Sequence, residues 1–338
     1  MGITRRYFLK SGGLSLFGLG FVPSFLRQTA YALEAPSASK KKVLVALFMR
    51  GAADGLNIVI PYAETDYYSM RPTIAIPQPG KGASGEAAID LNGFFGFHPS
   101  LAPLKPIFDA RQLAVIHAAG SPDSTRSHFD AQDYMETATP GNKSTRDGWL
   151  NRYLGHSTEM DATPFRAVAL APVLPMSLQG AAPALAFNNI RQFHLMMNPQ
   201  NPAYPAVEGA FQSLYASSAD PLLSRTARET FEATQTLQNI QVQGYLPAHG
   251  AVYPKGRTGQ PLKQVAQLIK SGVGLEIAFV DVGGWDHHVN EGGVQGRLVY
   301  RFIEIYPSYW ARSVSASNFF HRCTTGSAFI SSMPFRIR

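Results

Sequence analysis

The chain has 338 residues, of which 45% are hydrophobic, 11% aromatic and 16% charged, and its net charge is +7. This composition supplies enough apolar side chains for one large domain or two smaller ones, and it excludes wholesale disorder. No fixed period runs through the sequence, which excludes a repeat array. The single cysteine, Cys323, excludes a disulfide framework and a zinc site built from cysteines.

The positive charge is concentrated at the two ends of the chain. Residues 1–32 contain four basic residues and no acidic one, and residues 299–338 contain five arginines and one glutamate. The part between them is therefore close to neutral. A groove that follows a phosphate backbone needs lysine and arginine clustered on the folded body. The charge pattern predicts that the protein does not bind nucleic acid.

Residues 1–32 have the three parts of an export signal. Residues 4–10 read T-R-R-Y-F-L-K, a glycine-bearing apolar run covers 14–26, and residues 30–32 form an A-x-A cleavage pattern. The apolar run is shorter than the ~20 residues that span a bilayer. The basic start resembles the twin-arginine signal, which directs the export of folded proteins. We predict the twin-arginine export machinery as a partner, cleavage after Ala32, a periplasmic or secreted mature protein, and no stable membrane span after cleavage; an uncleaved N-terminal anchor is the alternative.

Residues 33–42 form a polar, lysine-rich linker, and strands and helices alternate after it. Strands are predicted at 43–49, 113–117, 166–170 and 275–280, helices at 98–110, 127–137, 224–243 and 260–271, and irregular structure at 172–204. The alternation predicts an α/β domain, with a mainly parallel sheet flanked by helices. Ligands of such sheets bind off the carboxyl ends of the strands. The polar loops that follow the first, second and last strands are therefore expected to share one edge.

The loop after the first strand, residues 50–57, contains one candidate metal ligand, Asp54. An aspartate at the end of a buried strand is well placed to bind a cation. Asp54 is followed by Gly55, however, and Asp-Gly is also a common turn pair. From the residues alone, both interpretations of Asp54 stand.

The loop after the second strand, residues 121–130, is rich in hydroxyl groups just before a predicted helix. Any of Ser124, Thr125 and Ser127 is a candidate nucleophile, because a helix N-terminus favours an anion and a nearby metal ion lowers the pKa of a hydroxyl. Arg126 is a candidate for holding anionic oxygens, and His128 for a ligand or a proton donor. The alternative is that these hydroxyls only cap the helix.

The loop after the last strand carries the densest set of candidate ligands, in the sequence D-V-G-G-W-D-H-H. The candidates are Asp281, Asp286, His287 and His288. Carboxylate and imidazole groups are good metal ligands, and glycines let the backbone turn sharply. We predict a divalent metal ion (zinc, manganese or calcium) as the cofactor. A surface turn with solvated histidines is the alternative.

Together with the twin-arginine start, three segments resemble the proteins of the domain of unknown function 1501 family. They are residues 47–57 (LFMRGAADGLN), 127–136 (SHFDAQDYME) and 281–288. The family resemblance implies an exported bacterial protein whose fold is similar to the alkaline phosphatase and sulfatase superfamily. That superfamily has a metal centre at the carboxyl edge of its sheet and a Ser, Thr or modified Cys nucleophile. The resemblance thus implies a metal-dependent hydrolase that acts on a small anionic phosphate or sulfate ester.

The same resemblance assigns roles to particular positions. Asp54 matches a metal-binding aspartate after the first strand, residues 124–128 match the segment of the nucleophile, and Asp286 and His288 match a later pair of ligands. The family's late Asp-His-Gly-His motif has no counterpart in this chain. We therefore expect an alkaline phosphatase-like domain at 43–298 that is incomplete at its C-terminus.

Residues 299–338 differ in composition from the sequence before them. They contain nine aromatic residues and show no clear helix or strand period. We predict an atypical, non-native tail, produced by a frameshift or a misjoined coding region. This leaves two alternatives to the hydrolase: a non-catalytic exported binding or assembly protein with the same fold, or an inactive truncated product.

Overall fold

The computed structural model describes residues 42–156, 163–192, 201–247, 251–300 and 328–331. The predicted signal at 1–32, nearly all of the linker and most of the 299–338 tail lie outside the described residues. Within the described ranges, no helix is both long enough and apolar enough to cross a membrane.

The described strands belong to three sheets. In chain order they are β1 (Leu44–Met49), β2 (Val59–Ile60), β3 (Ile89–Asp90), β4 (Gly96–Phe97), β5 (Leu113–Ile116), β6 (Ala167–Leu170), β7 (Leu185–Ala186), β8 (Ile277–Val282) and β9 (Ala328–Ser331). The largest sheet has the order β1-β8-β6-β7, and all of its neighbouring strands are parallel. The sequence prediction of an α/β class with a mainly parallel sheet is therefore confirmed.

The helices flank this sheet. The α-helices are α1 (Gly55–Ile58), α2 (Thr65–Met70), α3 (Lys105–Asp109), α4 (His128–Thr137), α5 (Trp149–Gly155), α6 (Tyr204–Ala216), α7 (Pro221–Gln243) and α8 (Gly259–Ser271). Four short 3-10 turns are Pro99–Leu104, Pro164–Arg166, Met176–Leu178 and Ile190–Gln192.

The two central strands of the parallel sheet, β8 and β6, are buried on both faces, whereas Leu44 and Leu47 of the edge strand β1 are exposed. Because successive side chains of a strand point to opposite faces, β8 contributes to two apolar clusters. Ile277 and Phe279 of β8 pack in one apolar cluster with Leu150 and Leu154 of α5. Residues 278, 280 and 282 of the same strand belong to a second, larger cluster that includes side chains of α7 and α8. This double burial explains why the strand reads as a continuous apolar run.

A small antiparallel sheet, β2-β4-β3, shares the larger apolar cluster. The fully buried His98 follows β4, and its Nδ1 accepts a hydrogen bond of 3.1 Å from the Ser100 amide. Its Nε2 lies 3.2 Å from the Gly293 carbonyl oxygen. With Nδ1 accepting, Nε2 carries the proton and donates to Gly293. His98 therefore anchors the chain that follows β8.

The structure differs from the sequence prediction in several places. The segment 98–110 begins as a 3-10 turn and becomes α-helical only at Lys105, because Pro103 and Pro106 lack the amide hydrogens of a regular helix. Strand β5 pairs with β9 and not with the parallel sheet. Strand β9 lies in the tail for which the sequence indicated no element, and β7 lies in the segment expected to be irregular.

Candidate metal site

The loops that follow β1 and β8 meet at the carboxyl edge of the sheet. The two strands are parallel neighbours in a register that ends at Met49 and Val282. Immediately beyond it, the amide of Trp285 donates a 3.3 Å hydrogen bond to the Arg50 carbonyl. Gly51 has a φ of +125°, and a Cβ there would lie 2.5 Å from the Asp286 nitrogen. The contact therefore requires glycine at position 51.

Helix α4 brings the hydroxyl-rich loop to the same edge. Ser127 is the N-cap of this helix, and its Oγ accepts a 3.3 Å hydrogen bond from the Asp130 amide. His128 is consequently the first residue of the helix. Although β5 does not join the parallel sheet, the helix that follows it still delivers His128 to the edge formed by β1 and β8.

His128, Asp286 and His288 converge there, and we call these three residues the histidine cluster. Nε2 of His128 lies 3.3 Å from Asp286 Oδ2, and Nε2 of His288 lies 2.9 Å from Asp286 Oδ1. One potential ligand atom from each residue lies within 4.8 Å of the others. The exposed fraction of the side chain is 18% for His128, 37% for Asp286 and 75% for His288. The cluster is thus open to solvent on the His288 side.

The donor set of the histidine cluster suits a transition metal. Two imidazoles and one carboxylate are ligands that zinc, manganese and iron accept, whereas calcium takes oxygen ligands. Three protein ligands also leave coordination positions for water or a substrate. A metal ion held by these three residues would therefore keep an open coordination position.

The other candidate ligands of the last loop lie outside the histidine cluster. Asp281 is the fifth residue of β8, and its Oδ1 accepts hydrogen bonds from Arg50 Nε at 2.9 Å and Nη2 at 2.8 Å. Burial raises the pKa of Asp281, and the contact with Arg50 opposes that increase. His287 is half-buried, with its ring 6.5 Å from that of Trp285. The roles of Asp281 and His287 as ligands stay predictions.

Asp54 belongs to a second polar group, formed with Arg71 and Glu291, which we call the arginine cluster. Asp54 is the N-cap of α1, where Oδ1 accepts a 3.2 Å hydrogen bond from Leu56, and Oδ2 is paired with Arg71. Burial and the neighbouring charge of Asp54 raise the pKa of Glu291 to about 7. The first loop therefore reaches the predicted edge, but its aspartate is bonded to an arginine.

The candidate nucleophiles lie in a tightly bonded turn before α4. Thr125 donates its amide to Asp123 at 2.9 Å, and its Oγ1 accepts a 3.1 Å hydrogen bond from the Ser127 amide. Ser124 and Arg126 are exposed. The helix-capping role that the sequence left as an alternative is thus present for Ser127, whereas the Thr125 hydroxyl is bonded within the turn before the helix. A catalytic role for any of these hydroxyls stays a prediction.

The sequence reasoning missed a network behind the histidine cluster. Arg50 bonds to Asp281, to Glu136 at 2.9 Å and to Gln132 at 3.3 Å. His128, Gln132 and Glu136 are spaced four residues apart, which places them on one face of α4. The sequence signal for this network was the polar stripe at positions 128, 132 and 136, on a helix that begins with a candidate ligand.

The comparisons with known proteins agree with the resemblance seen in the motifs. The family model described as "Protein of unknown function (DUF1501)" matches residues 41–302. This range includes every residue of the histidine and arginine clusters. Neither the curated proteins nor the solved structures contain a significant match.

Proposed function

The chain belongs to the DUF1501 family, and on that premise we propose that its histidine cluster holds a divalent transition metal ion for the hydrolysis of a small phosphate or sulfate ester. The observation that carries the proposal is the convergence of His128, Asp286 and His288, with ligand atoms within 4.8 Å of one another. Their place at the carboxyl edge of a parallel sheet is where such folds bind ligands.

A bound metal ion would supply Lewis-acid charge and lower the pKa of a coordinated water or hydroxyl. The protein contributes the surroundings of that ion. The N-terminus of α4 favours an anionic ester, because its free amides and dipole attract negative charge. Arg126, exposed just before this helix, would neutralise ester oxygens, and Ser124, Thr125 and Ser127 are the candidate nucleophiles.

The proposal includes the similarity to alkaline phosphatases and sulfatases and export through the twin-arginine machinery to the periplasm or beyond. The parallel sheet supports the first. The basic start, short apolar centre and A-x-A end of residues 1–32 support the second. Fractionation of cells that express the full chain tests the location.

Zinc titration of the purified protein tests the proposed site. We expect the chelator-treated protein to bind one zinc ion by calorimetry, and Asp286→Asn to weaken binding at least ~10-fold because a charged ligand is lost. His156→Ala removes an exposed histidine outside the cluster and is the matched control. The metal-loaded protein should hydrolyse an aryl phosphate or sulfate, with activity that Asp286→Asn abolishes. An unaltered zinc affinity in Asp286→Asn would refute the site.

A non-catalytic exported binding or assembly protein is the second candidate. It is favoured by the pairing of Asp54 with Arg71 and by the use of Ser127 as a helix cap. Zinc binding without turnover of any phosphate or sulfate ester would favour this candidate over the hydrolase.

A further inference from the structure

The histidine cluster has two arms: the loop after β8, which carries Asp286 and His288, and the first turn of α4, which carries His128. Arg50 connects these two arms. Its backbone fixes the loop after β8: the Arg50 amide donates to the Val282 carbonyl at 2.9 Å, and the Arg50 carbonyl accepts from Trp285 at 3.3 Å. Trp285 is fully buried and immediately precedes Asp286. The start of the Asp286–His288 arm is therefore held against β1.

The side chain of Arg50 fixes the other arm, the first turn of α4. Nη1 donates to Gln132 Oε1 at 3.3 Å, and Nε2 of Gln132 in turn donates to the His128 carbonyl at 2.9 Å. Nη2 is paired with Glu136, whose second oxygen accepts from the Ser177 amide at 3.0 Å. The buried Glu136 thus ties the guanidinium to the last turn of α4 and to the Met176–Leu178 turn.

These contacts occupy the guanidinium with protein groups. Asp281 and Glu136 together carry two negative charges against the single positive charge of Arg50, so the network does not present a free cation to an anionic substrate. The geometry instead connects β8 and α4, the elements on which the histidine cluster depends. Outer contacts of this kind orient metal ligands and tune their affinity.

We propose that Arg50 is a positioning residue that holds His128 at the correct distance from Asp286 and His288. The inference rests on the proposed metal site. It assigns Arg50 no contact with the metal ion or the substrate. Its effect passes through Gln132 and Glu136 to the first turn of α4, and through Trp285 to Asp286.

The test compares Arg50→Gln and Arg50→Lys with Arg166→Gln in the full chain. Arg166 is a matched control, because its Nε donates to Glu276 Oε1 at 2.8 Å at the opposite, amino end of β8. The readouts are zinc affinity by calorimetry, at a temperature at which circular dichroism shows each variant folded, and hydrogen exchange of the metal-free proteins.

We expect Arg50→Gln to weaken zinc binding about 10-fold or more and to speed exchange in the first turn of α4 and at 283–288. Arg50→Lys should lose less zinc affinity, because an ammonium group keeps one charged contact but cannot reproduce the several directed hydrogen bonds of the guanidinium. Arg166→Gln should stay within about twofold of the wild type in zinc affinity, since it changes stability only.

Two results overturn the inference: zinc affinity and exchange in Arg50→Gln equal to those of the wild type, or an equal loss of affinity in Arg166→Gln. A wild-type protein that binds no zinc refutes the proposed function instead. In that case the metal-free exchange still decides the role of Arg50, because faster exchange in both arms supports it and unchanged exchange refutes it.

Discussion

The histidine cluster and the arginine cluster both include side chains from the segment that follows β8, but their charges are balanced in different ways. In the arginine cluster, the side chains of Arg71 and Asp54 are only 13% and 15% exposed, and the cation is supplied by the chain itself. In the histidine cluster, the carboxylate of Asp286 faces two imidazoles and is partly open to solvent. A carboxylate at the edge of a parallel sheet is therefore a candidate ligand only where no arginine already neutralises it.

Removal of Arg71 should give the largest effect on stability. In Arg71→Gln, the largely buried Asp54 and the half-buried Glu291 lose their cation. We expect the free energy of unfolding to fall by about 3 kcal/mol. Zinc affinity should be unchanged, because the histidine cluster keeps its ligands. Urea denaturation and zinc calorimetry of the same preparation measure both quantities. A loss of zinc binding in folded Arg71→Gln would show that the two clusters are not independent.

Lowering the pH should destabilise the folded protein through His98, which bonds to Gly293 in the segment that carries Glu291. Burial lowers the pKa of His98 from 6.5 to about 4. The unfolded chain therefore binds more protons than the folded one between these values, and stability falls as the pH falls through this window. The loss is on the order of 3 kcal/mol at pH 4 and below.

The His98 prediction is measured by urea denaturation between pH 4 and pH 7. His98→Asn is expected to flatten this part of the profile, because it removes the imidazole but keeps a polar side chain. The same slope in wild type and His98→Asn would assign the pH dependence to other groups.

The smallest effect is expected for Glu291, because this residue is only half-buried and solvent screens part of its shift, whereas His98 is fully buried. The sign of the Glu291 effect is opposite to that of the His98 effect. The pKa of Glu291 is raised, by burial first and by Asp54 second, to about 7. The folded chain therefore binds more protons than the unfolded one between the ordinary value of 4.5 and 7, so this group destabilises the protein as the pH rises. Glu291→Gln should raise the thermal midpoint at pH 8 more than at pH 5. An equal change at both values would mean that Glu291 is not protonated in the folded protein.

The strands that build the site were predictable from local sequence. The apolar run of β8 is continuous because that strand is buried in the parallel sheet. The apolar run of β1 predicts the same burial, but β1 is an edge strand on which Leu44 and Leu47 are exposed. The capped start of α4 follows from Ser127 and the spacing after it. The parallel pairing of β1 and β8 accounts for the position of the Asp286 loop, whereas His128 reaches the same edge through the packing of α4, because β5 lies in another sheet.

The bonds that decide which aspartate is available were not predictable, because they join distant parts of the chain. Asp54 has the same local signature as a ligand and as a turn residue, and only its tertiary contact with Arg71 distinguishes them. The pairing of β5 with β9 is equally non-local. Local propensity contains no information about such partners.

The contact between Arg50 and Asp281 joins positions 231 residues apart, so the edge is made by the first and last strands of the parallel sheet along the chain. During synthesis β1 leaves the ribosome long before its neighbour β8 exists. The three residues of the histidine cluster consequently cannot come together until nearly the whole domain has been translated. Uptake of the proposed metal ion would then be a late event that follows the pairing of β1 with β8.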